Sequence, residues 1–221
     1  MRLNDLVPDV SSFLDNYWKR NPALFKHQIA PESWPDFRVE NLSEWFDKGQ
    51  PHHIVLYKVD NGELFQYDLP ILADGSLDMA EVIDGHYNDG VSITINKLHK
   101  RREWARSMAT DLLKDFKPFG YVTVGTNVFV TPPNSQAVKA HVDPHQIFVV
   151  QLMGTKRWLI GEDRREIVIE AGDVFYLPKG CLHEARTDEV TSIHETLGIY
   201  TLQDVEETER EEPKEGEGDA K

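Results

Sequence analysis

Two short stretches hold the residue types from which a metal centre can be built. In His141-Val142-Asp143 an imidazole and a carboxylate are separated by one residue. In extended chain, positions i and i+2 point to the same face, so both groups can reach one ion from one side. The second stretch, GDVFYLPKGCLH, reads as a strand, a Pro-x-Gly turn and a new strand opening on His183. Two imidazoles and one carboxylate make a facial set that leaves positions open on non-haem Fe(II) for a co-substrate and dioxygen. Zinc more often takes three protein ligands and one water. Cys181 is the single cysteine, which excludes an internal disulfide and a thiolate cluster, so a metal must be held by histidine and carboxylate.

These residues need a rigid frame, and the pattern from Gly120 onward predicts one. The runs YVTVGTNVFVT, HQIFVVQLM, KRWLI, EIVIE, DVFYL and VTSIHETLGIYTL are short, β-rich and separated by Gly, Pro and Asn, the texture of an antiparallel sandwich or barrel. Before them, Val10, Phe13, Leu14, Tyr17 and Trp18 share one helical face, with Ser11 and Ser12 near its start. A short helical stretch follows at residues 40–47, then a hairpin through Asp60-Asn61-Gly62, a turn-rich loop at residues 84–90 and a strand at 91–95. Trp104, Met108, Leu112, Leu113 and Phe116 return to helical spacing in what reads as the last long helix. The domain reading is one unit over residues 1–203, with a helical N-terminal part of about 8–118 and a β-barrel core of about 120–203.

The net charge of -14 is uneven: residues 204–221 hold nine acids and three bases, almost without apolar residues, and read as a disordered acidic tail without a chemical role. The acidic body argues against nucleic acid as a partner and suits a cationic peptide. No apolar run is long enough to span a membrane, and the opening residues MRLNDLVPDV show no secretory pattern, so the expected location is the cytoplasm.

The stretch TNVFVTPPNSQAVKAHVDPHQIFVVQLMGTKRW, with GDVFYLPKGCLHEA, resembles the cupin-like JmjC oxygenases, and most closely the ribosomal oxygenases that hydroxylate a side chain of a ribosomal protein. FLDNYWKRNPALFKH looks like the opening helix of that family. The resemblance implies a mainly β fold, a double-stranded β-helix (cupin or JmjC jelly roll) with N-terminal helices, and Fe(II), 2-oxoglutarate and O2 as cofactor and co-substrates. It implies that His141, Asp143 and His183 are the catalytic iron ligands, and that Lys156, fifteen positions after the first ligand, holds the far carboxylate of 2-oxoglutarate. A lysine does this as a point charge, without the bidentate grip of arginine. Asn127 matches a polar residue near the co-substrate, and His194 a late-strand histidine. The implied reaction is hydroxylation of a side chain, histidine or arginine, in a protein or peptide. Two departures stand out. After Gln203 the sequence shows only the acidic segment where the ribosomal oxygenases continue into a helical dimerisation region and a winged-helix-like domain, which leaves oligomeric state and a ribosomal substrate open. Phe129 occupies a position where relatives often carry tyrosine.

Other readings stay open at this point. A cupin metalloenzyme without 2-oxoglutarate, an isomerase or another dioxygenase, would share the triad but give Lys156 no reason for its position. A non-catalytic cupin would keep only the fold. Among the remaining candidates, His145 reads as the polar start of a strand, and the adjacent His52 and His53 as structural because neighbours on a strand face opposite ways. His86 and Tyr87 read as a surface turn, and Lys100-Arg101-Arg102 as a solvated face.

Overall fold

The structure, a computed structural model, describes residues 1–47 and 53–211. The chain opens with helices α1 (Leu3–Leu6) and α2 (Val10–Asn16) and a short strand β1 (Ala23–Phe25). The cap of α2 is Asp9, just before the serines, which lie in the first turn: its carboxylate accepts from the Ser12 N–H at 2.9 Å, a contact worth about 1 kcal/mol. The helix ends at Asn16. Lys19 then takes a left-handed backbone (φ 62°) that turns its N–H onto the Tyr176 hydroxyl at 2.9 Å. A helical turn α3 (Leu42–Trp45) and the hairpin of β2 (Ile54–Asp60) and β3 (Glu63–Tyr67) follow, with Asn61 and Gly62 both at positive φ, as a two-residue turn requires. Next come β4 (Ser92–Ile95), the single turn α4 (Leu98–Arg101) and the long helix α5 (Glu103–Phe116). The segment read as a turn-rich loop is instead a π-helical turn over Glu81–His86 and a 3-10 turn over Tyr87–Asp89.

The barrel strands are β5 (Tyr121–Thr131), β6 (Gln146–Met153), β7 (Thr155–Ile160), β8 (Arg165–Glu170), β9 (Val174–Leu177), β10 (His183–Arg186) and β11 (Ser192–Thr201). They form an eight-stranded sheet in the order β1-β9-β6-β11-β5-β4-β2-β3 and a three-stranded sheet β10-β7-β8, every pairing antiparallel. This is the expected mainly β jelly roll with N-terminal helices. β1, which no alternation announces, adds an edge by pairing Leu24 with Phe175.

Period-two alternation gives the large sheet two different faces. On one, Val124, Phe148, Val150, Tyr176, Leu197 and Ile199 pack against α1, α2 and the apolar stripe Met108, Ala109, Leu112 and Phe116 of α5. Each fully buried Leu or Phe there contributes roughly 1.5–3 kcal/mol. On the other face, Ile147, Val149, Phe175 and Leu177 meet Trp158, Ile160 and Ile169 of the small sheet. The space between the sheets is where the candidate residues converge.

One expectation is corrected. Of the segment 204–221 read as disordered, residues 204–211 are not: they belong to a helix, α6 (Leu202–Glu211), whose start is tied to the barrel. Thr201 and Asp204 exchange hydrogen bonds, Thr201 N–H to the Asp204 carboxylate at 2.9 Å and Asp204 N–H to the Thr201 hydroxyl at 3.2 Å. This capping box satisfies two helix-start donors, which acidic composition does not disclose. His52, read as structural, lies outside the described residues, as do residues 212–221 of the acidic segment. No helix among the described residues is long and apolar enough to cross a membrane.

Candidate metal centre

His141 and His183 are brought together by backbone pairing: each N–H donates to the other's carbonyl, at 3.0 and 2.9 Å, in an isolated antiparallel bridge. Their rings lie 4.3 Å apart, centroid to centroid. Asp143 joins them from the same side, its Oδ2 3.3 Å from His183 Nε2 and 3.8 Å from His141 Nε2. One ligand atom from each residue lies within 4.8 Å of the others. Both rings are held in the tautomer a metal needs. The Nδ1–H of His141 donates to the Lys139 carbonyl at 2.8 Å and that of His183 to the Cys181 carbonyl at 2.9 Å, leaving both Nε2 lone pairs free. Burial and the neighbouring His141 ring push the His183 imidazole below its ordinary range, against a smaller opposing pull from Asp143, so it is neutral and ready to ligate.

Lys156 lies deeper in the same cavity and is 2% exposed. Its ammonium donates to the Thr131 hydroxyl at 2.8 Å and sits 3.4 Å from Nδ1 of His194. Burial alone pushes it down to about 7, and no carboxylate offsets that among the described residues. A cation desolvated this completely calls for an anion. His194 is buried in turn, held well below its ordinary value by burial and by Lys156, and stacks on Phe129 at 4.8 Å and 5°. Phe129 thus supplies a flat ring where a tyrosine would add a hydroxyl. Asn127 also lines the cavity, but its Oδ1 is committed to the Lys97 N–H at 2.9 Å.

Three wall residues escaped the sequence reading. Trp158 stands between the two ends, 5.7 Å from the His183 ring and 5.8 Å from His194. His145, read as the polar start of a strand, lies one residue before β6 and faces the cavity, stacked on Tyr200 at 4.0 Å, and burial pushes it down to about 4. The signal was present: Asp143, His145, Ile147 and Val149 alternate, so they share one face. The paired glycines Gly125 and Gly198 make room for the Tyr200 ring; a Cβ on Gly198 would lie 2.7 Å from it. His53 is buried against the Trp45 carbonyl at 2.9 Å, away from the site. The Cys181 thiol is pushed up by burial and stays protonated, so its place beside His183 gives it no nucleophilic character. The cavity, about 140 Å³, is smaller than the roughly 300–1,000 Å³ of drug-sized pockets and suits a small organic acid.

A jelly roll carrying two histidines and an aspartate at its mouth, with a cation at its base, defines a class: the cupin-type metal proteins with a facial triad. Residues 97–167 and 160–207 match the JmjC domain, half of the chain, and the chain belongs to the JmjC domain family. It is 29% identical to the bifunctional lysine-specific demethylase and histidyl-hydroxylase NO66 of Drosophila mojavensis, across 91% of this chain and 25% of the relative. To the NO66 of Drosophila erecta it is 36% identical, over 88% of this chain and 32% of the relative. Among solved structures, YcfD, a ribosomal oxygenase from Escherichia coli, superposes over 98% of this chain and 63% of its own with a TM-score of 0.61 at 16% identity, which supports the fold. The chain therefore spans about a quarter to a third of these curated relatives and under two thirds of YcfD.

Proposed function

We propose that this chain is an Fe(II)- and 2-oxoglutarate-dependent oxygenase that hydroxylates a side chain of a protein, with histidine as the first candidate residue. The observation that carries the reading is the pairing, in one cavity, of an open facial triad with a fully buried ammonium that no carboxylate among the described residues neutralises. The triad fits the metal: three donors of the right chemistry, both imidazoles oriented by backbone carbonyls. Lys156 fits the co-substrate, since its buried ammonium in the cavity beside the triad would hold the second carboxylate of a dicarboxylate bound there. A cupin without 2-oxoglutarate leaves that buried charge unexplained. NO66 relatives are named as histidyl-hydroxylases, and YcfD has been solved in complex with cobalt and 2-oxoglutarate, which supports the same reading.

His141, Asp143 and His183 would hold the metal, and Lys156, with Thr131, would hold the far carboxylate. When bound, the iron couples oxidative decarboxylation of 2-oxoglutarate by O2, giving succinate and CO2, to transfer of one oxygen atom into a C–H bond of the substrate. The chain's own part is geometry and exclusion of water. Trp158, Phe129, Val149 and Ile147 wall the cavity with apolar surface, strengthening the attraction between Lys156 and a carboxylate. Anaerobic titration of the Fe(II)-loaded protein with 2-oxoglutarate tests the reading. A visible charge-transfer band is expected in the wild type, lost with His183→Ala through failure to hold iron. With Lys156→Ala, iron stays bound but roughly a hundredfold more 2-oxoglutarate is needed. Iron bound with no band at any concentration would overturn the 2-oxoglutarate assignment.

A further inference from the structure

Both sides of the metal site rest on one turn. Pro178–Lys179–Gly180–Cys181 closes with Cys181 N–H donating to the Pro178 carbonyl at 3.1 Å, and Gly180 sits at φ 77°, the left-handed position a type II turn gives to glycine. The inner side of this turn touches two ligands. Gly180 N–H donates to the Asp143 carbonyl at 2.9 Å, and the Cys181 carbonyl receives the His183 Nδ1–H at 2.9 Å. Its outer side is braced by α6. The Lys179 ammonium donates to Oδ1 of Asp204 at 2.6 Å, and the Lys179 N–H to Gln146 at 3.3 Å. Asp204 is only 3% exposed, and its other oxygen is locked into the capping box with Thr201. Its place is therefore set by the end of β11 rather than by solvent.

We propose that Asp204, in the first turn of α6, is a positioning residue for the metal centre, acting through Lys179 to hold the turn that fixes Asp143 and His183. The acidic C-terminal segment, silent in composition, thus starts with a residue that sets how tightly the site grips a divalent ion. The inference rests on the triad binding metal. Partners that orient ligands typically change metal affinity by 10–100-fold when removed.

The test is Co(II) binding by calorimetry to the metal-free full chain, alongside its melting temperature. Asp204→Asn is expected to weaken Co(II) binding about tenfold. Lys179→Met, which leaves the capping box intact and so folds even where Asp204→Asn does not, is expected to do the same and to alter the visible Co(II) spectrum. The double variant should lose no more than Lys179→Met alone, because that substitution already breaks the contact with Asp204 together with the weaker one to Glu207 at 3.8 Å. Wild-type affinity and spectrum in Lys179→Met would overturn the proposal and leave Asp204 a helix cap only. Wild-type protein that binds no Co(II) would overturn the metal reading, and this inference with it.

Discussion

Lys156 and Glu195 are ionisable groups buried to a similar degree on opposite sides of β11, and the chain treats them differently. Glu195 lies on the helix-packed side, fully buried, and accepts a hydrogen bond from the indole N–H of Trp34, a donor the chain itself brings across. Burial pushes it up to about 7, so taking up a proton removes its charge near neutrality. Lys156, on the cavity side, has a hydroxyl and a neutral imidazole as neighbours and no opposing charge among the described residues. Both groups change charge near neutrality, and Glu195 Oε1 is itself buried with no hydrogen-bond partner among the described residues; what separates the two faces is that Lys156 lines a cavity with room for an anion, whereas Glu195 is packed in the core. A binding site is distinguishable from a core in this way even when both are equally buried.

The largest effect that sharpens this comparison is Lys156→Met. With its folded value near 7 against an ordinary 10.5, Lys156 binds fewer protons in the folded than in the unfolded chain between those values. Stability of the ligand-free protein therefore rises with pH across that window, by up to about 5 kcal/mol as an order of magnitude. The Met variant should melt higher than the wild type at pH 7 and lose that slope, while 2-oxoglutarate no longer protects it. A slope unchanged by the substitution would break the comparison.

Glu195→Gln should act in the opposite direction. Raised from 4.5 to about 7, Glu195 binds more protons folded than unfolded, so its contribution falls as pH rises through that interval, by up to about 3 kcal/mol. Denaturant melts at pH 5 and pH 8 should converge in the variant, with Co(II) affinity unaltered. A loss of metal affinity would mean the two faces are coupled through β11. The smallest effect is expected of Gly198→Ala. Its Cβ would lie 2.7 Å from the Tyr200 ring and 2.9 Å from His145, which overpacks the cavity mouth for a loss of about 1–3 kcal/mol, read as a lower melting temperature.

Much of this was legible in the residues because strands and turns are local. Alternation located β5, β6, β7, β8, β9 and β11, and the Pro-x-Gly turn put His183 at the head of β10. What was not legible depends on which face a neighbour covers. β1 has three residues and no pattern of its own, and it exists because β9 offers an unpaired edge. His145 looked like the polar start of a strand until the stack with Tyr200 gave it a side. The segment after Gln203 looked disordered because composition averages over the whole acidic run, while a capping box needs only Thr201 and Asp204 at the right spacing.

The sequence alone determined the donor types, their spacing and the alternating strands, since these follow from backbone period and side-chain chemistry within a few residues. Tertiary structure decided the rest: that His141 and His183, 42 positions apart, bond to each other through their backbones, that Lys156 lies where water does not reach, and that Asp204 braces the turn between two ligands. Burial and orientation are properties of the assembled sheets. No local pattern encodes them, because they are set by whichever chain segments fold back to cover each face.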